Sequence, residues 1–248
     1  MRSFNNLMIN EWLKLSKKRM FFMPYVLLIL LSLLIGYIVH SASADLFGSA
    51  FDFSSTMLLP NGIGQALTIL AIIGTAGVVS KEYGQGTIKF LLIRARSRTA
   101  ILASKYVIVL LYALTLTIVT TVAVYGSGML WFGLNGGEAG FSEILLSVLY
   151  GFVYTVVYVT LAFMIGILTT STGVTIGITM FAITIDKLVI SREFYKYVLF
   201  PNLNLSAYEG NGAPMPGMTL SFSIVMLAVY MLLFLLAGFV VFRRRDVA

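Results

Sequence analysis

The sequence predicts an all-α integral membrane protein, and three observations lead to this class. Apolar residues make up 59% of the 248 positions and charged residues 11%, whereas soluble domains are nearer half apolar and a quarter charged. Six apolar stretches are long enough to cross a hydrocarbon core, which takes roughly 20 residues. These stretches are continuous rather than alternating, which favours helices over a barrel. We therefore expect a single transmembrane domain over residues 1–248, with six transmembrane helices at 21–39, 63–80, 101–125, 144–168, 173–185 and 219–242.

The basic residues indicate how these spans are oriented. Of the 17 Lys and Arg, 14 lie before the first span, from the end of the second span to the first turns of the third, or after the last span. Six crossings place these three segments on one side of the membrane, and the positive-inside rule makes that side the cytoplasm. We therefore expect both termini in the cytoplasm. This distribution accounts for the net charge of +7 without nucleic acid as a partner.

Residues 1–20 are predicted to form an amphipathic helix in the membrane interface. Apolar residues share one side of its helical wheel: Phe4, Leu7, Met8, Trp12 and Leu15. Trp12 suits the headgroup boundary. The lipid bilayer is the expected partner of three basic side chains, each attracted to anionic lipid by about 1 kcal/mol: Lys17, Lys18 and Arg19. One alternative is a basic tail that only sets topology. Another is a signal peptide ending at Ala42-Ser43-Ala44, although an apolar run of about 19 residues exceeds the usual core of such a peptide.

The next elements are a span and its outer connection. Pro24 falls in the first turn of the first span, where its missing N–H does least harm. Residues 40–62 are polar and end in the turn Pro60-Asn61-Gly62, and the lone His40 is expected to be interfacial rather than a ligand. The later outer segment, residues 126–143, is glycine-rich and expected to be loosely structured.

A compact basic segment, residues 81–98, separates the second and third spans. Gly84 and Gly86 break the preceding helix, and Thr87 can cap a new one. Two apolar faces follow, with Ile88, Leu91, Leu92 and Ala95 on one and Phe90 and Ile93 on the other. A short cytoplasmic helix with two apolar faces needs two protein surfaces to cover it, one of its own bundle and one of a partner. The alternative is a solvated loop whose charges only follow the positive-inside rule.

Two patterns in the fourth and fifth spans could concern either packing or a substrate path. Tyr150, Tyr154 and Tyr158 recur every four residues and so share one helix face. Gly173 and Gly177 form a Gly-x-x-x-Gly pair of the kind that lets two helices approach closely. Packing within the bundle, a substrate path and a moving helix interface all stay open for these residues.

The chain between the fifth and sixth spans, residues 186–218, differs from the other outer segments. Charged residues alternate with apolar and aromatic ones at its start, and prolines interrupt the rest at Pro201 and Pro214-Met215-Pro216. We expect a short helix along the outer leaflet followed by a turn-rich return, either extracellular or re-entrant. Irregular backbone at membrane depth is acceptable only where protein covers it or water reaches it.

The sequence contains no motif for catalysis. It lacks the phosphate-loop pattern and His-Glu-x-x-His, and one histidine with no cysteine cannot build a metal site. The spans hold almost no ionisable residue away from their ends, so an ion-coupled transporter lacks its usual parts. We expect no enzyme activity, no metal and no cofactor on this chain. Active transport would therefore need a partner that supplies the energy.

The basic segment resembles that of a known family. Glu82, Gly86-Thr87-Ile88, Leu91-Leu92, Ser97-Arg98 and Lys105 resemble the Glu...Gly-Thr-Leu...Leu-Leu...Pro-Val-Ser-Arg...Lys signature of ABC-2 type permeases, the membrane subunits of bacterial ATP-binding cassette transporters. The ending Arg243-Arg244-Arg245-Asp246 is similar to the Arg-Arg-Asp close of that family. The resemblance extends over essentially the whole chain. It departs at Ala95-Arg96, where the family has Pro-Val, which lets the coupling helix run further.

The resemblance implies a short coupling helix that binds in a cleft of a separate ATP-binding cassette ATPase subunit, which would hold ATP and Mg. It also implies a second permease, as a homodimer or heterodimer, in a bacterial cytoplasmic membrane. The residues implied in ATPase coupling are Glu82, Gly86, Thr87, Ile88, Phe90, Leu91, Leu92, Ile93, Arg94, Ser97 and Arg98.

The substrate class follows only by analogy. Small six-span permeases of this kind serve in bacteriocin and lantibiotic immunity and in export of phenol-soluble modulins, which favours amphipathic or hydrophobic peptides over other lipophilic compounds. The alternative function is a stand-alone membrane channel or an assembly factor with no ATPase partner.

Overall fold

Helices make up most of the parts of the chain that the computed structural model describes, which are residues 4–18, 21–84, 97–134, 136–188, 192–210 and 212–245. These residues contain no β-strand, so the all-α class is confirmed for them. The helices in chain order are α1 Phe4–Ser16, α2 Met23–Ala42, α3 Ala50–Met57, α4 Ile63–Gly84, α5 Arg98–Trp131, α6 Phe141–Thr169, α7 Thr172–Asp186, α8 Ala207–Gly210 and α9 Leu220–Arg244. Single 3₁₀ turns lie at Ala44–Leu46, Glu193–Tyr197 and Phe200–Leu203.

Four of these helices are long and apolar enough to cross a membrane: α2, α5, α6 and α9. They correspond to the first, third, fourth and sixth predicted spans. Helix α4 has 22 residues, of which Ile63–Val78 form its apolar part, and α7 has 15 residues. Crossings by α4 and α7 therefore stay predictions.

The described residues form two compact units. Unit 1 comprises Met1–Lys17, Ile72–Leu111 and Val156–Ala248, and unit 2 comprises Lys18–Ala71 and Tyr112–Thr155.

Within unit 2, α2 and α5 approach closely through small residues. A Cβ atom at Gly36 would collide with Ser127 Oγ and lie 2.9 Å from Trp131 Cδ1. The Ser127 hydroxyl in turn donates a hydrogen bond of 2.8 Å to the Ser32 carbonyl. Small side chains are what allow two helix backbones to come this near in an apolar environment.

Unit 2 also contains α3, which sequence reasoning missed within the segment predicted as a polar loop. Ser49 caps this helix by accepting a hydrogen bond of 3.3 Å from the Asp52 N–H, and Asp52 Oδ1 accepts one of 2.9 Å from the Ala139 N–H. The Phe53 ring stacks on Phe132 at 5.1 Å. An eight-residue helix has little intrinsic stability, so these tertiary contacts are what hold it.

Within unit 1, the segment after α7 lies along α9. Asn202 is fully buried and accepts a hydrogen bond of 2.9 Å from Ser223 Oγ, whose oxygen is 2.8 Å from the Tyr208 hydroxyl. Further along the helix, the Tyr230 hydroxyl donates a bond of 2.8 Å to the Tyr197 carbonyl. In the described residues of this segment, short 3₁₀ helices lie at Glu193–Tyr197 and Phe200–Leu203.

The position of these contacts along α9 shows how far the segment extends beside the helix. At 1.5 Å per residue, Tyr230 lies about 15 Å along the axis from Leu220. Irregular backbone therefore accompanies α9 over about its first 15 Å. The Asn202 amide donates to the carbonyls of Lys196 and Val198 at 2.9 and 2.7 Å, which supplies the protein partners that such backbone needs away from water.

Candidate functional site

Most of the predicted coupling residues lie outside the described part of the chain. Residues 85–96 are not described, and neither is the side chain of Glu82, whose backbone belongs to α4. The predictions that fall there are those for Glu82, Gly86, Thr87, Ile88, Phe90, Leu91, Leu92, Ile93 and Arg94. Four described polar residues at helix ends of unit 1 are called the polar junction below: Ser80 and Arg98, on the helices before and after this segment, and their hydrogen-bond partners Thr172 and Arg245.

Ser97 begins the described chain after the basic segment and caps α5. Its side-chain oxygen accepts a hydrogen bond of 3.3 Å from the Ala100 N–H, and the Thr99 hydroxyl donates to the same oxygen at 3.2 Å. This is the capping role that a serine at a helix N-terminus favours. The position where α5 starts is therefore encoded in Ser97.

Arg98, the first residue of α5, binds the end of α9. Its Nη1 donates to the Arg243 carbonyl at 3.2 Å and to the Arg245 carbonyl at 2.7 Å. The last carbonyls of a helix lack partners within the helix and carry the negative end of its dipole. A guanidinium therefore satisfies both requirements and joins the start of α5 to the end of α9.

Arg245 repeats this arrangement at the end of α6. Its Nη1 donates to the Ile167 carbonyl at 2.8 Å and its Nη2 to the Leu168 carbonyl at 3.1 Å. Because Arg245 itself terminates α9, the two arginines connect the start of α5, the end of α9 and the end of α6 in series.

The connection from α6 to α7 lies in the same part of unit 1. Ser171 caps α7 through the Val174 N–H at 3.4 Å. Thr170 has a φ of +53°, a left-handed conformation that costs a β-branched residue free energy. The Thr172 hydroxyl lies 2.7 Å from Ser80 Oγ, which joins the start of α7 to the last turns of α4.

A buried ion pair lies two turns further along α5. Lys105 Nζ is 2.7 Å from Glu11 Oε2, and the Lys105 side chain is 0% exposed. Lys14 Nζ approaches Glu11 Oε1 at 2.6 Å. Burial raises the pKa of the Glu11 carboxyl, but the charge of Lys105 and the hydrogen bonds from both lysines outweigh it, so that pKa is below its ordinary value. The carboxylate is therefore ionised throughout the physiological range.

Sequence reasoning missed this pair, although one signal was available. Glu11 is the only acidic residue of a helix whose other charged residue is Lys14, and Lys105 lies eight residues inside α5, among apolar residues. Charges in such places are usually paired. Nothing in the spacing of two residues 94 positions apart identifies each as the partner of the other.

The structure also places the remaining predicted residues. Trp12 is half-buried on α1 and Lys17 and Lys18 are exposed, while Arg19 lies outside the described residues. Tyr154 and Tyr158 are buried and Tyr150 is half-buried. The Tyr158 hydroxyl faces the Ala182 carbonyl of α7 at 3.5 Å.

The described part of the chain does not cover the two glycines of α7. A Cβ atom at Gly173 or Gly177 would meet nothing within 4 Å. Both are exposed, together with Val174, Ile178 and Phe181 on the same helix. This Gly-x-x-x-Gly pair therefore does not mediate packing among the described residues.

The chemistry available at the polar junction is hydrogen bonding and positive charge. Among the residues that the structure describes, no group of three His, Cys, Asp or Glu could hold a metal ion. The arrangement can bind helix ends and transmit force between them, and four of its helices can cross a bilayer. These features define a multi-pass helical membrane protein.

The chain belongs to the DUF2705 family, described as proteins of unknown function, whose profile matches residues 20–248. It is similar to two proteins of Bacillus subtilis (strain 168). One is the uncharacterized protein YhcI, 33% identical over 201 residues, which cover 73% of this chain and 64% of YhcI. The chain thus spans less than two thirds of that relative. The other is the uncharacterized membrane protein YdbK, 26% identical over 228 residues, which cover 88% of this chain and 90% of YdbK.

Proposed function

We propose that this chain is a permease subunit of an ABC-2 type transporter. With a second permease it forms an export path for amphipathic or hydrophobic peptides, or other lipophilic compounds, and a separate ATPase subunit hydrolyses ATP to drive it. The observation that carries the proposal is the polar junction, where the two helices that flank residues 85–96 are hydrogen-bonded to other helix ends, α4 to the start of α7 and α5 to the end of α9. The resemblance of the basic segment to the coupling region of ABC-2 type permeases supports it.

The junction would distribute a displacement over several helices at once. Arg98 follows directly on the basic segment and binds the α9 end at two carbonyls. Hydrogen bonds to a charged group contribute about 1.5–3 kcal/mol each when well shielded, and less here because the Arg98 side chain is partly exposed. A partner that moves the segment before Ser97 would therefore move α5, α9 and, through Arg245, α6.

The contacts in unit 1 also support six crossings with the basic ends on one side. The start of α5, the end of α6, the start of α7 and the end of α9 all meet at the polar junction. Helices α5 and α7 therefore leave this end and α6 and α9 return to it. Helix α4, about 33 Å long at 1.5 Å per residue, ends here as well, and α2 precedes it. We assign this end to the cytoplasm of a bacterial cell.

The fifth crossing would combine a short helix with irregular chain. Helix α7 is about 22 Å long, less than the roughly 30 Å of a hydrocarbon core. The 3₁₀ turns beside the first part of α9 would complete the crossing, with Asn202 supplying partners for their carbonyls. Discontinuous crossings of this kind are common in transport proteins.

A second permease would pack on the exposed face of α7. Gly173 and Gly177 leave open space there, and small residues four apart favour close helix association in lipid. Gly177→Leu should reduce dimer recovery after chemical cross-linking in membranes. The same substitution at Gly126, which is also open and lies on α5, is the matched control.

The experiment that tests the function is recovery of an ATPase with the tagged chain from native membranes. The wild type should recover an ATP-binding cassette protein, identified by mass spectrometry. The double substitution Leu91→Asp and Leu92→Asp should lose it, because two buried carboxylates would oppose docking. Leu134→Asp, at an exposed position in the segment between α5 and α6, should retain it. Recovery of no such ATPase by any version would favour a stand-alone channel or assembly factor.

A further inference from the structure

The Glu11–Lys105 ion pair joins α1 to α5 at 2.7 Å. Helix α1 has no fully buried residue, so its apolar contacts with unit 1 are shallow. Its sequence contains one acidic residue, so a single register brings a carboxylate to the Lys105 ammonium. Apolar side chains of similar volume would stabilise a buried contact as well as an ion pair does, or better. What the two charges add is register: they select Glu11 as the residue of α1 that faces Lys105.

The pair lies on the same face of α5 as Arg98. Seven residues, or two helical turns, separate Lys105 from Arg98, so the two side chains are about 10 Å apart along one face. Arg98 is bound to the end of α9, and Lys105 is bound to α1. The first two turns of α5 therefore connect a helix at the surface of unit 1 to the polar junction.

We propose that Glu11 and Lys105 are positioning residues that make α1 move together with the first two turns of α5. The role of this movement in transport rests on the proposed function, because an ATPase would displace the segment that precedes Ser97. The attachment of α1 does not rest on it. Through this pair, a displacement at the polar junction reaches the helix predicted to lie in the membrane interface.

The attachment can be measured as a distance distribution. The chain contains no cysteine, so Leu13→Cys and Leu111→Cys, both at exposed positions, allow two nitroxide labels without background. Double electron–electron resonance in liposomes of phosphatidylethanolamine and phosphatidylglycerol then reports the separation of α1 and α5. The variant Glu11→Gln with Lys105→Met replaces both charges by neutral groups of similar volume, a kind of change that typically leaves the stability of a buried ion-pair site unchanged or raises it.

The neutral pair should at least double the width of the distribution while the thermal unfolding temperature changes little. A structural role alone would change the unfolding temperature and leave the width as it is. Lys14→Gln is the matched control, because it removes the exposed partner of the same carboxylate, and it should leave the width unchanged. A wild-type width in the neutral pair, or an equal broadening by Lys14→Gln, would overturn the proposal.

The joint movement is tested in the complex with the recovered ATPase. Trapping with ATP and vanadate should leave the wild-type distribution between the two labels unchanged, and should shift that of the neutral pair by more than its width. A shift of that size in the wild type would show that α1 does not follow α5. Failure of any ATPase to co-purify would count against the proposed function, whereas the measurement without nucleotide would still decide the attachment.

Discussion

Replacement of Asn202 by leucine should loosen the segment that follows α7. Asn202 is fully buried, donates to the carbonyls of Lys196 and Val198 and accepts from Ser223. Leucine has the same number of side-chain heavy atoms and can make none of these bonds. Two backbone carbonyls would lose a donor at a part-buried site, while the Ser223 hydroxyl would keep Tyr208.

The expected cost follows from counting these groups. A buried polar group that loses its partner costs about 1–3 kcal/mol, and two such carbonyls with one weakened hydroxyl give about 3–5 kcal/mol. At about 2–4 °C per kcal/mol for a chain of this size, the apparent unfolding temperature in detergent should fall by about 6–20 °C. Proteolysis within residues 192–210 should accelerate in the same variant.

A matched control lies two residues away. Asn204 is exposed, and its side chain only accepts a bond of 3.1 Å from the Ser206 hydroxyl. Asn204→Leu should therefore change the unfolding temperature by no more than about 2 °C, in line with the small effects of surface substitutions. Equal shifts for both variants, or no shift for Asn202→Leu, would refute the reasoning that these bonds hold the segment to α9.

Three further predictions concern packing, topology and pH. Gly36→Ala should lower the free energy of unfolding by about 1–3 kcal/mol through overpacking. Gly126→Ala, in open space, should raise it by about 0.4–1 kcal/mol. Denaturant unfolding in micelles measures both changes, and a change of the same sign in the two variants would contradict the close approach of α2 and α5. For topology, Ser97→Cys should react with an impermeant maleimide only after the cells are opened, and Asn204→Cys should react in intact cells; labelling of both from outside would refute the assigned orientation. The pKa of Glu11 lies below its ordinary value of 4.5, so the stabilisation from its pairing with Lys14 and Lys105 is complete above that value and is lost as the pH falls through the lowered pKa. The width of the α1–α5 distance distribution should thus be constant from pH 8 to pH 5, and broadening within that range would contradict the pairing.

The apolar spans could be predicted because their signal is local. Runs of apolar residues near α2, α5, α6 and α9 are each long enough to identify a membrane helix, and the structure has a helix at each. Capping is local as well: Ser97 accepts a hydrogen bond from the Ala100 N–H at the start of α5, as serine at a helix N-terminus favours. The ends were less well predicted: α5 continues past Tyr125 to Trp131, because glycines at 126 and 128 do not interrupt a helix that tertiary contacts support.

What could not be predicted depends on contacts between distant residues. Helix α3 is held by Phe132 and by the Ala139 N–H, and neither contact leaves a pattern within the segment itself. The same holds for the pairing of Glu11 with Lys105 and for the bonds of Arg98 to the end of α9. Sequence reasoning assigned Arg98 and Lys105 to topology, a role that any lysine or arginine on the cytoplasmic side can fill, and to the signature of the family that the chain resembles, and neither assignment identifies their partners.

The central claim is that an ATPase binds this chain at the basic segment before α5. Its most direct test is photo-cross-linking in membranes from a benzoylphenylalanine that replaces Phe90. The matched control site is Phe194, an exposed aromatic residue in the segment that follows α7. The account predicts a cross-link from position 90 to a protein with ATP-binding cassette motifs, identified by mass spectrometry, and none from position 194. Cross-links from position 90 only to lipid or to this chain itself, or equal capture of the ATPase from both positions, would contradict it.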